Sequence, residues 1–229
     1  MFLIIYEFLI LILLPFLLLR LILRSFSGSK HSKNIFERLG FGTFGNADIY
    51  LHSVSVGETI AARPIIEELA INYKLHISIT TPTARKVLTD FSGNFTYSFL
   101  PFDSYLIMNS YIKKISPKVI VLMESELWPN FLKVAKCNNI PVVLANARIS
   151  ERTYSRMFYI KKLTYSFLIK PLDKVLASSK LDEQRFIDLG AKNVSNVGNI
   201  KLSQKLQIEP NFFKQVSKLI NKKVLLIAS

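Results

Sequence analysis

The chain has 229 residues, half of them hydrophobic, and a formal net charge of +14 at pH 7. A chain of this length and composition is able to bury at least one full α/β core. Nucleic acid is the first partner to consider for such a charge, but there is no helix-turn-helix, zinc or RNA-binding signature, so we expect no nucleic acid. The single cysteine, Cys137, cannot form an internal disulfide and is typical of a reducing compartment.

The first 24 residues form an apolar segment. Between Phe2 and Leu19 the only charged residue is Glu7. About 18 to 20 such residues are enough to cross a bilayer as a helix, in which Pro15 gives at most a kink. No small-residue cleavage site follows, so the sequence predicts an uncleaved membrane anchor over residues 1–24. A buried or interfacial helix is the alternative.

Basic residues flank this segment on its C-terminal side only. The positive-inside rule therefore predicts a single-pass anchor, with everything after residue 24 in the cytoplasm. Behind such an anchor, the positive charge is best explained by anionic lipid headgroups or by a phosphorylated lipid substrate. Segment 148–174 is the richest in Lys and Arg, although a solvated helix face would also explain it. The flanking basic residues are Arg20, Arg24, Lys30, Lys33 and Arg38.

After a polar connector, residues 25–47, short apolar runs alternate with helical patterns. Near-continuous apolar runs suit a parallel sheet covered by helices on both faces. We therefore predict an α/β fold with a doubly wound parallel sheet, a Rossmann-like domain over residues 48–205. The predicted strands are 48–54, 75–80, 95–100, 118–123, 141–146 and 173–177. The predicted helices are 57–71, 82–90, 103–115, 127–138, 150–169 and 180–189.

The pattern changes near the C-terminus. A helical pattern at about 210–220 leads into KKVLLIAS, which looks like the opening strand of another α/β unit. One strand cannot build a parallel sheet, and an unpaired apolar edge is avoided in natural domains. We therefore expect residues 206–229 to be the linker and first strand of a second domain, and this chain to be the first half of a two-domain protein.

Candidate functional residues lie where predicted strands end and helices begin, which is where ligands bind in open parallel sheets. In HSVSVGE, Glu58 is on the first turn of a helix, whose N-terminus favours an ionised carboxylate that accepts a proton. Gly57 is expected to allow a tight turn, and His52 and Ser53 to orient a substrate. Alternatively, Glu58 only complements the helix dipole, with Ser55 as the N-cap.

Three further segments end at the same predicted edge. In ESELWPN, Glu124 and Glu126 are able to face opposite ways, one towards a sugar hydroxyl or a basic group and the other capping a helix. LANARIS contributes Asn146 and Arg148. In GNIK, Lys201 would meet a phosphate or a developing negative charge, unless it is a solvated linker lysine. No His/Cys cluster has metal-ligand spacing, and no G-x-S-x-G elbow is present, so we expect no metal and no serine hydrolase.

Taken in order, HSVSVGE, MESELWPN, LANARIS and GNIK resemble the 3-deoxy-D-manno-octulosonate (Kdo) transferases of lipopolysaccharide assembly, as does ERLG at 37–40. The resemblance implies a two-domain GT-B glycosyltransferase that inverts the anomeric centre and uses no metal or other cofactor. Its N-terminal domain binds a lipid A precursor (lipid IVA), and its C-terminal domain binds CMP-Kdo. The resemblance also implies that Glu58 is the general base, and that Glu124 and Lys201 stabilise the transition state.

Two departures from the family pattern stand out. First, Leu202 and Ser203 follow GNIK where the family has Phe-Asp. Second, the family's donor domain would begin at about residue 222, whereas this sequence ends at Ser229. A cleft enzyme without its second wall lacks most of its donor affinity and its means of excluding water. The alternatives are therefore a catalytically inactive remnant that at most binds the lipid A precursor, and a basic membrane-associated binding module. A split enzyme whose other half is encoded separately is a further alternative.

Overall fold

The structure is a computed structural model that describes residues 2–26, 35–42 and 44–203. The predicted linker and strand of residues 206–229 lie outside the described residues, as do Lys30 and Lys33 of the basic flank.

Seven parallel strands form one sheet in the described part of the chain, in the order β3-β2-β1-β4-β5-β6-β7. This confirms the predicted doubly wound parallel sheet, and the six predicted strands are all present. The three-residue edge strand β7 was not predicted. The strands are β1 Ile49–His52, β2 Leu75–Ile79, β3 Phe95–Phe99, β4 Val119–Met123, β5 Val142–Ala147, β6 Lys174–Ala177 and β7 Val194–Asn196.

Helices connect the strands and cover both faces of the sheet. By length and composition, Phe2–Leu23 of the N-terminal helix is able to cross a membrane. The helices are α1 Phe2–Phe26, α2 Ile35–Arg38, α3 Val56–Asn72, α4 Pro82–Leu88, α5 Tyr105–Ile115, α6 Pro129–Cys137, α7 Glu151–Tyr159, α8 Lys161–Thr164 and α9 Lys180–Asp188. A π-helical turn, Tyr165–Ile169, follows α8, and a 3-10 turn, Ile200–Ser203, follows β7.

Two predicted segments need correction. The segment 25–47 is not simply a connector, because it contains the short helix α2. The predicted helix 150–169 is interrupted at Ile160, whose φ of −106° and ψ of 37° are not helical, and it continues as α8 and the π-helical turn.

Successive residues of the central strand β1 belong to two different cores. Tyr50 packs with Tyr111 of α5 and Phe131 of α6 on one face, whereas Leu51 packs with Ile66 of α3 on the other. All of these side chains are buried, since they are at most 1% exposed. Strand order reverses between β1 and β4, so the loops that follow these strands diverge and leave a crevice at the carboxyl edge of the sheet.

Candidate active site

Glu58 is held in a reciprocal helix cap at the start of α3. Its backbone N–H donates to Ser55 Oγ at 3.2 Å, and Ser55 Oγ donates to Glu58 Oε1 at 3.0 Å. The Val54 amide donates to Oε2 at 2.8 Å. This is the capping role that the sequence left open as an alternative. The side chain is half-buried, and each carboxylate oxygen keeps a lone pair for a further donor, so the cap does not exclude proton acceptance.

Gly57 does not form the tight turn that the sequence predicted. It lies inside the first turn of α3, its φ is not in the left-handed region, and a Cβ there would only come within 3.9 Å of Ser55 Oγ. Neither space nor backbone conformation therefore requires glycine at this position.

His52 and Ser53 are fully buried and are not placed to contact a substrate, which corrects the prediction that they orient one. His52 Nδ1 shares a 2.8 Å hydrogen bond with Ser78 Oγ, and Ser53 Oγ shares one of 2.9 Å with Thr59 Oγ1. Burial lowers the pKa of His52 to about 4, so the imidazole is neutral at pH 7. Both residues therefore tie β1 to its neighbouring elements.

Glu124 and Lys201 meet at the carboxyl edge. Lys201 Nζ lies 3.6 Å from Glu124 Oε1, an ion pair between the end of β4 and the 3-10 turn after β7. The Glu124 side chain is 22% exposed and that of Lys201 is 45% exposed. Glu124 also has a left-handed backbone, with a φ of 57°, which an L-residue adopts at a cost of about 1–3 kcal/mol and which is often found at functional sites.

Glu126 lies in the electric field of the other two glutamates. Burial raises its pKa, and the negative charges of Glu58 and Glu124 raise it further, against a hydrogen bond from Trp128 Nε1 that lowers it. That indole N–H donates to Glu126 Oε2 at 3.1 Å. The carboxylates of Glu58, Glu124 and Glu126 therefore form one acidic group at the crevice, with Lys201 as a compensating cation.

Asn146 makes a contact that the sequence did not predict, and its contact with a substrate stays a prediction. It is 4% exposed, its φ is 51°, and its Oδ1 accepts a 3.2 Å hydrogen bond from the Ile200 amide. The bond fastens the turn that carries Lys201 to the end of β5, next to Glu124. Sequence reasoning missed it because the two residues are 54 positions apart.

Arg148 is exposed and lines an open cleft of about 410 Å³ beside Glu124. Arg185 lines the same cleft, but its guanidinium already donates to the Ile149 carbonyl and pairs with Glu151. Arg148 is therefore the better placed of the two for an anionic group of a substrate.

The ERLG segment reaches the same edge of the sheet. Glu37 accepts a 3.0 Å hydrogen bond from the Phe99 amide at the end of β3, and Arg38 donates to the Thr80 carbonyl after β2 at 2.7 Å. Gly40 has a φ of 77°, and a Cβ there would lie 3.2 Å from Ile107 Cγ2. Within the described ranges, no group of three or more His, Cys, Asp or Glu is placed to hold a metal.

Solved structures similar to this chain share its fold. A UDP-N-acetylglucosamine 2-epimerase superposes with a TM-score of 0.53 at 14% identity, covering 76% of this chain and 53% of that one. A putative enzyme of the same name from Listeria monocytogenes gives 0.55 at 9% identity, covering 76% and 52%. At these identities the likeness concerns the fold alone.

Sequence relatives identify the family. The family model described as 3-deoxy-D-manno-octulosonic-acid transferase matches residues 33–204. The chain is 34% identical to the 3-deoxy-D-manno-octulosonic acid transferase of Haemophilus influenzae, over 86% of this chain and 48% of that protein. It is 28% identical to the enzyme of that name from Rickettsia bellii, over 98% and 55%. The chain thus spans about half the length of these relatives, and it belongs to the Kdo transferase family of glycosyltransferases.

Proposed function

We propose that this chain is the acceptor-binding half of a Kdo transferase, which moves Kdo from CMP-Kdo to a lipid A precursor with inversion and without a metal. The observation that carries the proposal is the ion pair of Glu124 and Lys201 at the carboxyl edge, where the negative charges of Glu124 and the half-buried Glu58 both act on Glu126. These are the three residues to which the family resemblance gives catalytic roles. CMP-Kdo would be bound by a second domain, encoded beyond the described residues or in another chain.

Glu58 acts as the general base in this proposal. A hydroxyl of the acceptor sugar donates to a free lone pair of the carboxylate, which takes the proton as the hydroxyl oxygen bonds to the anomeric carbon of Kdo. The bond from that carbon to the CMP phosphate breaks, and its electron pair leaves with CMP. The hydrogen bonds from Val54 and Ser55 fix the carboxylate, so it needs no reorganisation as the proton arrives.

Lys201 supplies positive charge near the group that becomes negative in the transition state, and Glu124 fixes its position. Asn146 holds the turn that carries Lys201, and Arg148 offers a second cation to the phosphate or carboxylate groups of the substrates. Glu126 stays close to the acceptor hydroxyls, with Trp128 fixing its carboxylate.

The N-terminal helix keeps this site at the inner membrane, with the sheet domain on the cytoplasmic side. Its lipid acceptor is itself a membrane component, and the net charge of +14 favours anionic lipids and the phosphates of that acceptor.

The test is Kdo transfer from CMP-Kdo to a tetraacyl lipid A precursor in detergent, with the donor-binding half supplied as a separate chain. Glu58→Gln retains the capping pattern, because glutamine at this helix position also accepts from the backbone, but it cannot take a proton. We expect a loss of transfer of about 10²- to 10⁴-fold. Glu68→Gln, at an exposed position of the same helix, is the matched control and should leave the rate unchanged.

Transfer that survives Glu58→Gln would remove Glu58 from the role of base. Acceptor binding with no transfer by the unaltered chain, in the presence of an active donor half, would instead support the alternative of an inactive remnant.

A further inference from the structure

The side chains of α1 divide into two faces, although the helix is apolar all round. Eight of them are partly covered, and they recur at intervals of three or four residues, which places them on one side of the helix. The remaining positions between Phe2 and Leu23 are exposed, including Ile4 at 72% and Phe16 at 67%. The covered side chains are Leu3, Tyr6, Glu7, Ile10, Leu14, Leu17, Leu18 and Leu21.

Polar contacts hold the beginning of this face against the sheet domain. Glu7 accepts from Ser104 Oγ at 2.7 Å, from the Tyr105 amide at 2.9 Å and from Asn130 Nδ2 at 2.6 Å. Tyr6 OH donates to Asp103 Oδ2 at 2.9 Å. The carboxylate of Glu7 thus caps the start of α5, whose own N-cap residue makes no side-chain cap. This accounts for the single charge in the apolar segment.

The far end of the same face also lies on the domain. Leu17, Arg20 and Leu21 line a small cavity of about 120 Å³ together with Arg38 and Phe102. From Leu3 to Leu21 the helix rises about 27 Å, close to the thickness of a bilayer core. A helix that touches one cytoplasmic domain at both ends of such a length cannot cross the bilayer unless those contacts break.

The surroundings of α1 are basic as well as apolar. Lys133, Lys136 and Lys170 line a groove of about 260 Å³ next to Leu3 at the beginning of the helix. We call these three residues the groove lysines. A face of exposed apolar side chains with lysines beside it matches the boundary between acyl chains and anionic headgroups.

We propose that α1 is an in-plane membrane helix: its covered face is docked on the sheet domain through Glu7, its exposed apolar face enters one leaflet, and the groove lysines meet anionic headgroups. This is the interfacial alternative to the single-pass anchor. It does not depend on the chemistry proposed above. Helices α5 and α6, on which α1 is docked, start at the carboxyl edge of the sheet. Asn130, which binds Glu7, follows Glu126 of the crevice by only four residues. The docking of α1 therefore places the crevice at the bilayer surface.

Two measurements on the full chain in membranes test this, in a Cys137→Ser background that has no other cysteine. The first uses a membrane-impermeant maleimide on sealed vesicles of both orientations. We expect a short cysteine-containing tag before Phe2 to react from the same side as the exposed reporter Lys192→Cys. Reaction of the tag from the opposite side alone would overturn the proposal.

The second measurement is the depth of spin labels on the exposed face, placed by Ile4→Cys, Ile12→Cys and Leu19→Cys in separate proteins. An in-plane helix gives three similar depths in the accessibility of the labels to oxygen and to a polar nickel complex. A crossing helix gives a maximum at position 12 with shallow labels on either side, and that profile would refute the in-plane arrangement. Neither readout involves Kdo transfer, so failure here and failure of the proposed reaction are distinguishable.

Discussion

Replacing Asn146 tests how the turn that carries Lys201 is held. The buried side chain supplies the acceptor for the Ile200 amide, and its backbone lies in the left-handed region. In Asn146→Ala the hydrogen bond is lost, at about 0.5–1.5 kcal/mol. The left-handed backbone, which costs an L-residue roughly 1–2 kcal/mol, stays strained as it is in the unaltered protein. We expect the free energy of unfolding to fall by about 0.5–1.5 kcal/mol, from the lost hydrogen bond alone.

Two further variants separate the contributions. Asn146→Gly loses the hydrogen bond but adopts the left-handed backbone freely, so it should be about 1 kcal/mol more stable than Asn146→Ala. Asn146→Asp keeps an acceptor for the Ile200 amide and tolerates the same backbone, but it buries a carboxylate next to Glu124, so it should lose stability at neutral pH and recover it as the pH is lowered. Urea unfolding followed by circular dichroism in mild detergent measures all three, with equal m-values as the condition for comparing them.

Equal stability of the Ala and Gly variants would show that backbone strain at this position contributes nothing. An Ala variant as stable as the unaltered protein would show, in addition, that the bond to Ile200 does not hold the turn. The positioning role assigned to Asn146 would then be refuted.

Two other predictions concern the surface next to α1. Changing the groove lysines to glutamine should weaken binding to anionic vesicles about 100-fold, at about 1 kcal/mol for each lysine, as measured by vesicle sedimentation. The same change at three distant exposed lysines is the control: Lys74, Lys86 and Lys192. Burial raises the pKa of Asp103 to about 7, against hydrogen bonds from Asn130, Tyr6 and Phe131. Because the folded-state pKa is raised, stability should fall as the pH rises from about 4 through 7, and urea unfolding of Asp103→Asn should show a flatter dependence.

The strands of the sheet were predictable because their apolar runs are continuous, as burial on both faces requires. Strand β7, Val194–Asn196, was missed because it is a short edge strand of intermediate or exposed residues. The break at Ile160 was missed for another reason: the neighbouring residues include no Gly or Pro, so tertiary packing decides it.

The candidate site was predictable where a single rule applies, namely that strand ends meet at one edge. Glu124 and Lys201 satisfy it. His52 and Ser53 do not reach the crevice, because the final residues of β1 are as deeply buried as its middle. The role of Asn146 depends on a contact between distant segments, and the docking of α1 depends on a face that an all-apolar sequence does not mark. In both cases the information is in the tertiary arrangement.

Helix α1 and the crevice are connected through the start of α6. Asp103 accepts from the amides of Asn130 and Phe131 at 3.1 and 2.8 Å, while Glu7 of α1 accepts from the Asn130 side chain. The loop that carries Glu124 and Glu126 runs directly into these residues, so its far end is fixed by carboxylates from two other elements. A helix that moved off the domain would take one of those carboxylates with it. The position of α1 on the sheet domain and the geometry of the acidic loop therefore depend on one shared set of hydrogen bonds.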